Sequence, residues 1–282
     1  MSEPLTLAEA VPLGTVHLQR LLAAAGIRSL VIKGPAFVEL GVRKPKQSND
    51  IDLLVAPEDY ASAKDVLVRA GWKVVSYSLP PALEHTKYSV TLRHNRMPVT
   101  VDLHQRFEGM LTEDLFAVLW QARAMVVLAH QEAVTVGHEH ALLMESLNAT
   151  KGCRPSTRAA VASRVLDECS LREIAPQRLA DAAMAVGSRH TAADLIAAAG
   201  GPSPAGEPSA EEGAWLAKPC SYTRADLLWD TLRRAPLHLP RVLWEQFLLT
   251  PDAATFWALT NDVAYRNRVQ ILWLRARRKL PS

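Results

Sequence analysis

Two aspartates separated by one residue open the segment Asp50-Ile51-Asp52-Leu53-Leu54-Val55. In a β-strand alternate side chains share a face, so Asp50 and Asp52 point to one side and Ile51 and Leu53 to the other. Two carboxylates at the start of an apolar strand repel each other and lose solvation, which is costly unless a cation lies between them. Hard divalent cations such as Mg²⁺ bind carboxylate oxygens and share their remaining positions with phosphate. The aspartate pair therefore predicts a metal site.

A third aspartate, Asp102, lies in a second strand-like apolar segment that begins at Val99. If this strand lies beside the first, three acids converge and can hold two metal ions, one for a triphosphate and one for the attacking group. We therefore expect Asp50, Asp52 and Asp102 to be both the catalytic and the metal-binding residues. Mg²⁺ is the expected ion, with Mn²⁺ as an alternative. The competing interpretation is that each aspartate caps a loop or pairs with a nearby lysine or arginine.

Lys33 and Gly34 separate an apolar segment from the start of a helix. Glycine lets the backbone approach a ligand closely, and the first N–H groups of a helix are free to bind phosphate oxygens. A basic loop with Arg43 and Lys46 follows shortly before Asp50. These four residues are candidate nucleotide-binding residues. The alternative interpretation is an ordinary turn followed by a solvated loop.

His104 follows Asp102 by two residues, so both side chains project from the same face of one strand. It is a candidate to contact the triphosphate, to orient an acceptor or to carry a proton. The alternative is a hydrogen-bonded histidine at a strand end. His85 and Lys87 are candidate accessory contacts, whereas His138-Glu139-His140 lacks a second histidine at the helical i+4 spacing and is interpreted as surface.

The elements that must position these residues change in character along the chain. The first third alternates short helices and strands, and the spacing predicts helices over 16–25, 36–40 and about 57–70, with strands over 29–32, 51–55, 72–77, 87–93 and 99–103. From about Leu111 the periodicity is helical. A Gly-, Pro- and Ser-rich segment at 200–213 is predicted to be a flexible loop, and helices are expected over 224–234, 240–249 and 253–278.

Composition narrows the class of protein. The chain has 282 residues, 49% hydrophobic and 22% charged, which is typical of a globular protein. A formal charge of +3 is too small to indicate nucleic-acid binding by itself. Three dispersed cysteines without a CxxC pair argue against a structural zinc site, and apolar segments such as 124–129 are too short to span a membrane. We expect a cytoplasmic protein without a membrane partner.

Taken together, the motifs resemble the DNA polymerase β nucleotidyltransferase superfamily, and more narrowly the bacterial group of uncharacterised nucleotidyltransferases often found near peptide or polysaccharide biosynthesis genes. The resemblance covers about residues 15 to 110 and extends loosely to about 200. It is carried by Lys33-Gly34, the basic loop, the Asp50–Val55 segment, Ala70-Gly71-Trp72 and Val101-Asp102-Leu103-His104.

The resemblance implies a small mixed sheet flanked by helices. Together with the helical periodicity after Leu111, it predicts an α+β fold in which an all-helical C-terminal domain follows the sheet. The predicted catalytic domain spans 1–110 and the helical domain 111–282. The resemblance also implies that the acids bind Mg²⁺ and that Lys33 helps to hold the nucleotide. Two departures concern the phosphate contacts. The superfamily's usual Gly-Ser is Lys-Gly here, and Lys46 stands where a loop arginine is expected, which keeps the charge but loses bidentate geometry unless Arg43 replaces it.

The expected function is transfer of a nucleoside monophosphate from an NTP, with ATP weakly favoured, to a hydroxyl, phosphate or carboxylate group of a small metabolite or a peptide natural product, with release of pyrophosphate. An enzyme of the toxin type that modifies tRNA or other RNA ranks lower, because it needs a larger positive surface. A third possibility is a catalytically silent nucleotide-binding module, against which the retention of all three acids argues.

Overall fold

A computed structural model describes residues 5–75, 88–170 and 174–218, and after these residues 228–229, 231–233, 235–240, 254, 257–258, 263 and 267–277. Short 3-10 helices lie at Pro57–Asp59 and Pro236–His238. The α-helices are α1 (Leu7–Ala24), α2 (Gly34–Glu39), α3 (Tyr60–Arg69), α4 (Leu115–Gln121), α5 (His138–Thr150), α6 (Pro155–Glu168), α7 (Pro176–Ala185), α8 (Ala193–Ala198), α9 (Ala210–Leu216) and α10 (Arg268–Arg277).

The strands within the described residues form one mixed sheet of seven strands in the order β3-β4-β5-β2-β1-β7-β6. Strand β2 pairs parallel with β5, and β1 pairs parallel with β7, while the other neighbours are antiparallel. The predicted α+β class with a mixed sheet flanked by helices is therefore confirmed. The strands are β1 (Ser29–Val31), β2 (Asp50–Val55), β3 (Lys73–Val74), β4 (Ser89–Arg93), β5 (Thr100–His104), β6 (Ala124–Leu128) and β7 (Gln131–Thr135).

The alternation of β2 assigns its two faces to different surroundings. Ile51 and Leu53 are 1% and 0% exposed and belong to the main apolar core. Helix α1 packs on this face, where a Cβ added at Gly14 would lie 2.8 Å from Cδ1 of Ile51. Glycine therefore permits the close approach of the helix to the strand. The opposite face of β2 carries Asp50 and Asp52.

Two helices begin at capping boxes that the apolar periodicity does not reveal. Helix α1 begins at Leu7 rather than Val16, because Thr6 and Glu9 form a capping box in which the Glu9 carboxylate accepts from the Thr6 amide at 2.9 Å. Helix α9 begins inside the predicted 200–213 loop, where Ser209 and Glu212 form the second box. Both corrections have one cause: a local hydrogen-bonded cap sets the first turn.

Strands β6 and β7 correct the prediction that the chain is helical from Leu111. They form a hairpin whose two-residue turn, Ala129 and His130, has φ angles of 48° and 60°. A turn of this kind usually contains glycine or asparagine, so its sequence gives no hairpin signal. Since β7 pairs with β1, the sheet is completed by residues beyond 110. The domain boundary between residues 110 and 111 stays a prediction.

Several predictions fall wholly or partly outside the described residues. These are His85, Lys87, the end of the 72–77 strand, and most of the helices expected over 224–234 and 240–249. Helix α10 lies within the helix expected over 253–278. Among the described helices, none has the length and apolar character needed to cross a membrane.

Candidate active site

The register between β2 and β5 brings the acids together. In this parallel pair Asp52 is the direct neighbour of Asp102, and Asp50 is the neighbour of Thr100. Parallel neighbours in register place their side chains on the same face of the sheet. The condition for the acids to converge is therefore met, and the three carboxylates lie on the face of the sheet opposite to Ile51 and Leu53.

Asp52 is the most buried of the three acids, with 6% of its surface exposed. Its Oδ1 atom lies 2.9 Å from Nζ of Lys33 and 2.9 Å from Nε2 of His104. Burial alone would raise the pKa of Asp52, but the hydrogen bond from His104 and the charge of Lys33 outweigh it and lower the pKa. Asp52 is therefore an ionised carboxylate held by two partners.

Asp50 is in the opposite electrostatic situation. Burial and the neighbouring charges of Asp52 and Asp102 raise the pKa of this carboxyl group, and Lys33 only partly opposes them. A carboxylate whose charged form is disfavoured by its surroundings gains most from an added cation. The electrostatics of Asp50 therefore favour a cation among these acids.

Asp102 is held by a residue from the next strand. Oγ1 of Thr91 donates to Oδ1 of Asp102 at 2.6 Å, and the two residues are direct neighbours in the antiparallel pairing of β4 with β5. This hydrogen bond fixes one oxygen of the carboxylate and leaves the other available. Thr91 is a positioning contact that the sequence motifs did not single out.

Lys33 and Gly34 form the junction between β1 and α2. Both have positive φ angles, 68° at Lys33 and 57° at Gly34, and only the glycine adopts such a conformation without strain. The amide of Ile32 donates to the carbonyl oxygen of Asp52 at 3.0 Å, which anchors the end of β1 beside the acids. The Lys33 side chain is 20% exposed, and its ion pair with Asp52 raises its pKa despite burial.

His104 lies beside Asp52 and is 3% exposed. Its ring stacks on Tyr88, with 5.7 Å between centroids. Within the described part of the chain its Nδ1 atom is buried without a hydrogen-bond partner. Asp52, Asp102 and His104 each offer a ligand atom, and these atoms lie within 4.8 Å of one another. The donor set fits a divalent cation, with carboxylate oxygens for Mg²⁺ and the imidazole as a softer addition.

The basic loop contacts the helices that follow the sheet. Nη1 of Arg43 lies 3.8 Å from Oε2 of Glu145 on α5, while Lys46 is exposed. Burial raises the pKa of Glu145, and the charges of Arg43, Lys33 and Lys46 oppose this rise. The loop cations and Lys33 therefore lie close enough to Glu145 for their charges to act on its carboxylate. Glu145 is a second residue that the sequence motifs did not reveal.

The prediction that His138-Glu139-His140 is a surface segment is half right. His138 is exposed, but His140 is 7% exposed and lies inside the helical layer. Helix α5 has apolar residues on several sides, so its buried face is wider than its sequence spacing suggests.

Residues 11–160 match the protein family described as "Uncharacterised nucleotidyltransferase". The match spans more than half of the chain and includes the β1–α2 junction, the acids of β2 and β5, and Glu145. The chain therefore belongs to this nucleotidyltransferase family, as the motifs predicted. Among curated proteins, no match is found.

Three solved structures are similar to parts of this chain. The lincomycin-bound lincosamide antibiotic adenylyltransferase LnuA is 13% identical, with 45% of this chain and 81% of that chain covered and a TM-score of 0.32. The antibiotic-resistance factor ANT(2'')-Ia is 12% identical, covering 64% and 92%, with a TM-score of 0.38. An antigenic nucleotidyltransferase-like protein from Paracoccidioides brasiliensis is 16% identical, covering 70% and 95%, with a TM-score of 0.40. These TM-scores are low, so the family assignment rests on residues 11–160.

Proposed function

We propose that the protein transfers a nucleoside monophosphate from an NTP, with ATP favoured, to a hydroxyl group of a small-molecule or peptide acceptor and releases pyrophosphate. The observation that carries this proposal is the in-register pairing of Asp52 with Asp102, which gathers three carboxylates on one sheet face beside Lys33. An acceptor made in natural-product biosynthesis is the preferred class.

The reaction is a single displacement at the α-phosphorus. The acceptor oxygen forms a bond to the α-phosphorus, the bond from this atom to the α,β-bridging oxygen breaks, and pyrophosphate leaves with the electron pair. The proton of the acceptor hydroxyl passes to the carboxylate of Asp102, which acts as the general base. The hydrogen bond from Thr91 to Oδ1 holds this carboxylate and leaves its second oxygen to accept the proton.

The residues around β1 bind the triphosphate in this proposal. Lys33 remains a cation over the working pH range, because its pKa is raised by Asp52. Gly34 lets the backbone approach the phosphates, and Arg43 and Lys46 add positive charge from the basic loop. His104 was predicted to contact the nucleotide, and its hydrogen bond to Asp52 supports the role of a positioning residue as well.

Asp50, Asp52 and Asp102 are the residues that would hold Mg²⁺, with Mn²⁺ as an alternative. When bound, such ions supply positive charge that neutralises the triphosphate and lowers the barrier to displacement. The raised pKa of Asp50 supports this assignment, since an added cation relieves the repulsion that raises it.

The proposal is tested by measuring pyrophosphate release from each NTP with Mg²⁺ and a cell extract as the source of acceptors. We expect release by the wild type and its loss in Asp50→Asn. Asp65→Asn is the matched control, because Asp65 is an exposed acid on α3, outside the acid cluster. Pyrophosphate release that is equal in wild type and Asp50→Asn would refute the assignment of the site, and incorporation of the nucleoside monophosphate into RNA alone would favour the RNA-modifying alternative.

A further inference from the structure

One side of the acid cluster is bordered by a group that we call the lysine rim: Tyr88, Glu108, Lys151 and Lys218. Tyr88 precedes β4 and stacks on His104, and Glu108 follows β5. Lys151 caps the end of α5, and Lys218 follows α9. The sheet and the helices that follow it therefore build the rim together.

The lysine rim is organised around one carboxylate. Lys151 forms an ion pair with Oε2 of Glu108, and Lys218 forms one with Oε1. Nζ of Lys151 also lies 3.5 Å from the Tyr88 hydroxyl and 5.6 Å from the centre of its ring. Burial alone would raise the pKa of Glu108, but the hydrogen bonds from both lysines outweigh it and lower the pKa.

Two ammonium groups on one carboxylate leave an excess positive charge in the lysine rim. Lys151 and Lys218 are 38% and 43% exposed, whereas Glu108 is 19% exposed, so the cations face solvent and their shared anion lies behind them. An ammonium group has three N–H donors, of which these contacts use one in Lys218 and two in Lys151, so each lysine keeps at least one donor for an anion. The rim is therefore suited to an anion and repels a polycation.

The order of the strands indicates which of the two substrates, the triphosphate or the acceptor, lies next to the lysine rim. Strand β1, with Lys33 and Gly34 at its end, lies on one side of β2, and β5 and β4 lie on the other. In-line displacement places the attacking oxygen opposite the leaving pyrophosphate. If the triphosphate is held at the β1 side, the acceptor approaches from the side of β5, where Asp102 and the lysine rim lie.

Resting on the proposed function, we propose that the lysine rim binds the acceptor through an anionic group, a phosphate or a carboxylate, and thereby brings a neighbouring hydroxyl to Asp102. Lys151 and Lys218 contact the anion, and Tyr88 offers an aromatic surface beside it. The acceptor class is then an acidic hydroxyl compound rather than a polyamine.

The test is binding of small anionic alcohols to the full chain while the nucleotide site is saturated with Mg²⁺ and α,β-methylene-ATP. Glycerol 3-phosphate and glycerate are the probes, and glycerol is the uncharged control, all at constant ionic strength and observed by saturation-transfer NMR. We expect saturable binding of both anions, no binding of glycerol, and about tenfold weaker binding in Lys218→Gln and Lys151→Gln, since a charge-assisted hydrogen bond is lost.

Lys64→Gln is the matched control for net charge, because Lys64 lies on α3, which packs against α1. The proposal is overturned if the anions do not bind, if glycerol binds equally well, if the two rim variants bind like wild type, or if the nucleotide analogue displaces the anions. Failure of the proposed function has a different signature: the analogue itself does not bind. The anion titration of the free protein and its rim variants then still decides whether the rim is an anion site.

Discussion

The two faces of strand β2 follow one backbone and carry opposite chemistry. Ile51 and Leu53 are fully buried against the core and helix α1. Asp50 and Asp52 crowd two carboxylates onto the other face, and the raised pKa of Asp50 shows that its charge is disfavoured there. The difference teaches that one face stabilises the fold, whereas the other retains, at Asp50, a carboxylate whose unfavourable charge Lys33 offsets only in part.

The largest expected effect is on the acid face. Asp50→Asn should lower the rate of nucleotidyl transfer by about a hundredfold to a thousandfold, because a preorganised charge is removed from the reacting groups. The same change should leave the melting temperature of the metal-free protein equal or higher, since it removes repulsion. Steady-state kinetics and thermal unfolding measure the two effects. A clear fall in melting temperature would break the comparison between the faces.

On the core face, Leu53→Ala should reduce the free energy of unfolding by about 2 to 5 kcal/mol, because a fully buried side chain is replaced by a cavity. Urea unfolding measures this change. The rate per folded molecule should stay close to that of wild type, with Val68→Ala as an exposed apolar control, since Val68 is 45% exposed. A Leu53→Ala protein with wild-type stability would show that the core face contributes less than its burial implies.

The faces of β2 were predictable because a period-2 pattern over Asp50 to Leu53 assigns each side chain to a face by its spacing alone. The pairing of β2 with β5 could be stated only as a condition for the three acids to converge, because parallel strands that are distant in sequence leave no local signal of their pairing. The β6–β7 hairpin was missed, since Ala129 and His130 give no turn signal.

The residues of the candidate site also divide into those that a sequence pattern reveals and those that depend on the packing of distant segments. Asp50, Asp52, Asp102 and His104 stand out through their spacing along strands, and Lys33 stands out because it precedes Gly34 at the start of a helix. Thr91 was predictable in principle, because β4 and β5 are consecutive in the chain and their antiparallel pairing places Thr91 beside Asp102. Glu145 was not, since its position depends on how helix α5 docks against the basic loop.

A smaller effect is expected at Glu108. Unlike Asp50, this carboxylate is stabilised in its charged form by ion pairs with Lys151 and Lys218. Glu108→Gln should reduce the free energy of unfolding by about 1 to 3 kcal/mol at neutral pH. Because the folded-state pKa lies below the ordinary 4.5, this contribution is complete above that value and is lost as the pH falls through the lowered one. Urea unfolding of both proteins from pH 7 to acid pH measures it. A gap between them that widens in acid would contradict this sign.

The smallest effect is expected at Thr91. Thr91→Val keeps the shape of the side chain and removes the donor to Asp102, so the rate should fall by up to about tenfold, the equivalent of one hydrogen bond. Thr91→Ser retains the donor and should restore most of the activity. If the rate follows the loss of the methyl group rather than the loss of the hydroxyl, Thr91 contributes packing and does not position Asp102.

The most direct test of nucleotidyl transfer follows the fate of two phosphorus atoms. The wild type is incubated with Mg²⁺, a cell extract and ATP labelled either at the α- or at the γ-phosphorus, with Asp50→Asn in parallel. The proposal predicts that the α-label enters an acceptor product, that the γ-label appears in pyrophosphate, and that both depend on Asp50. Transfer of the γ-label to the acceptor, with the α-label left in ADP, would contradict it.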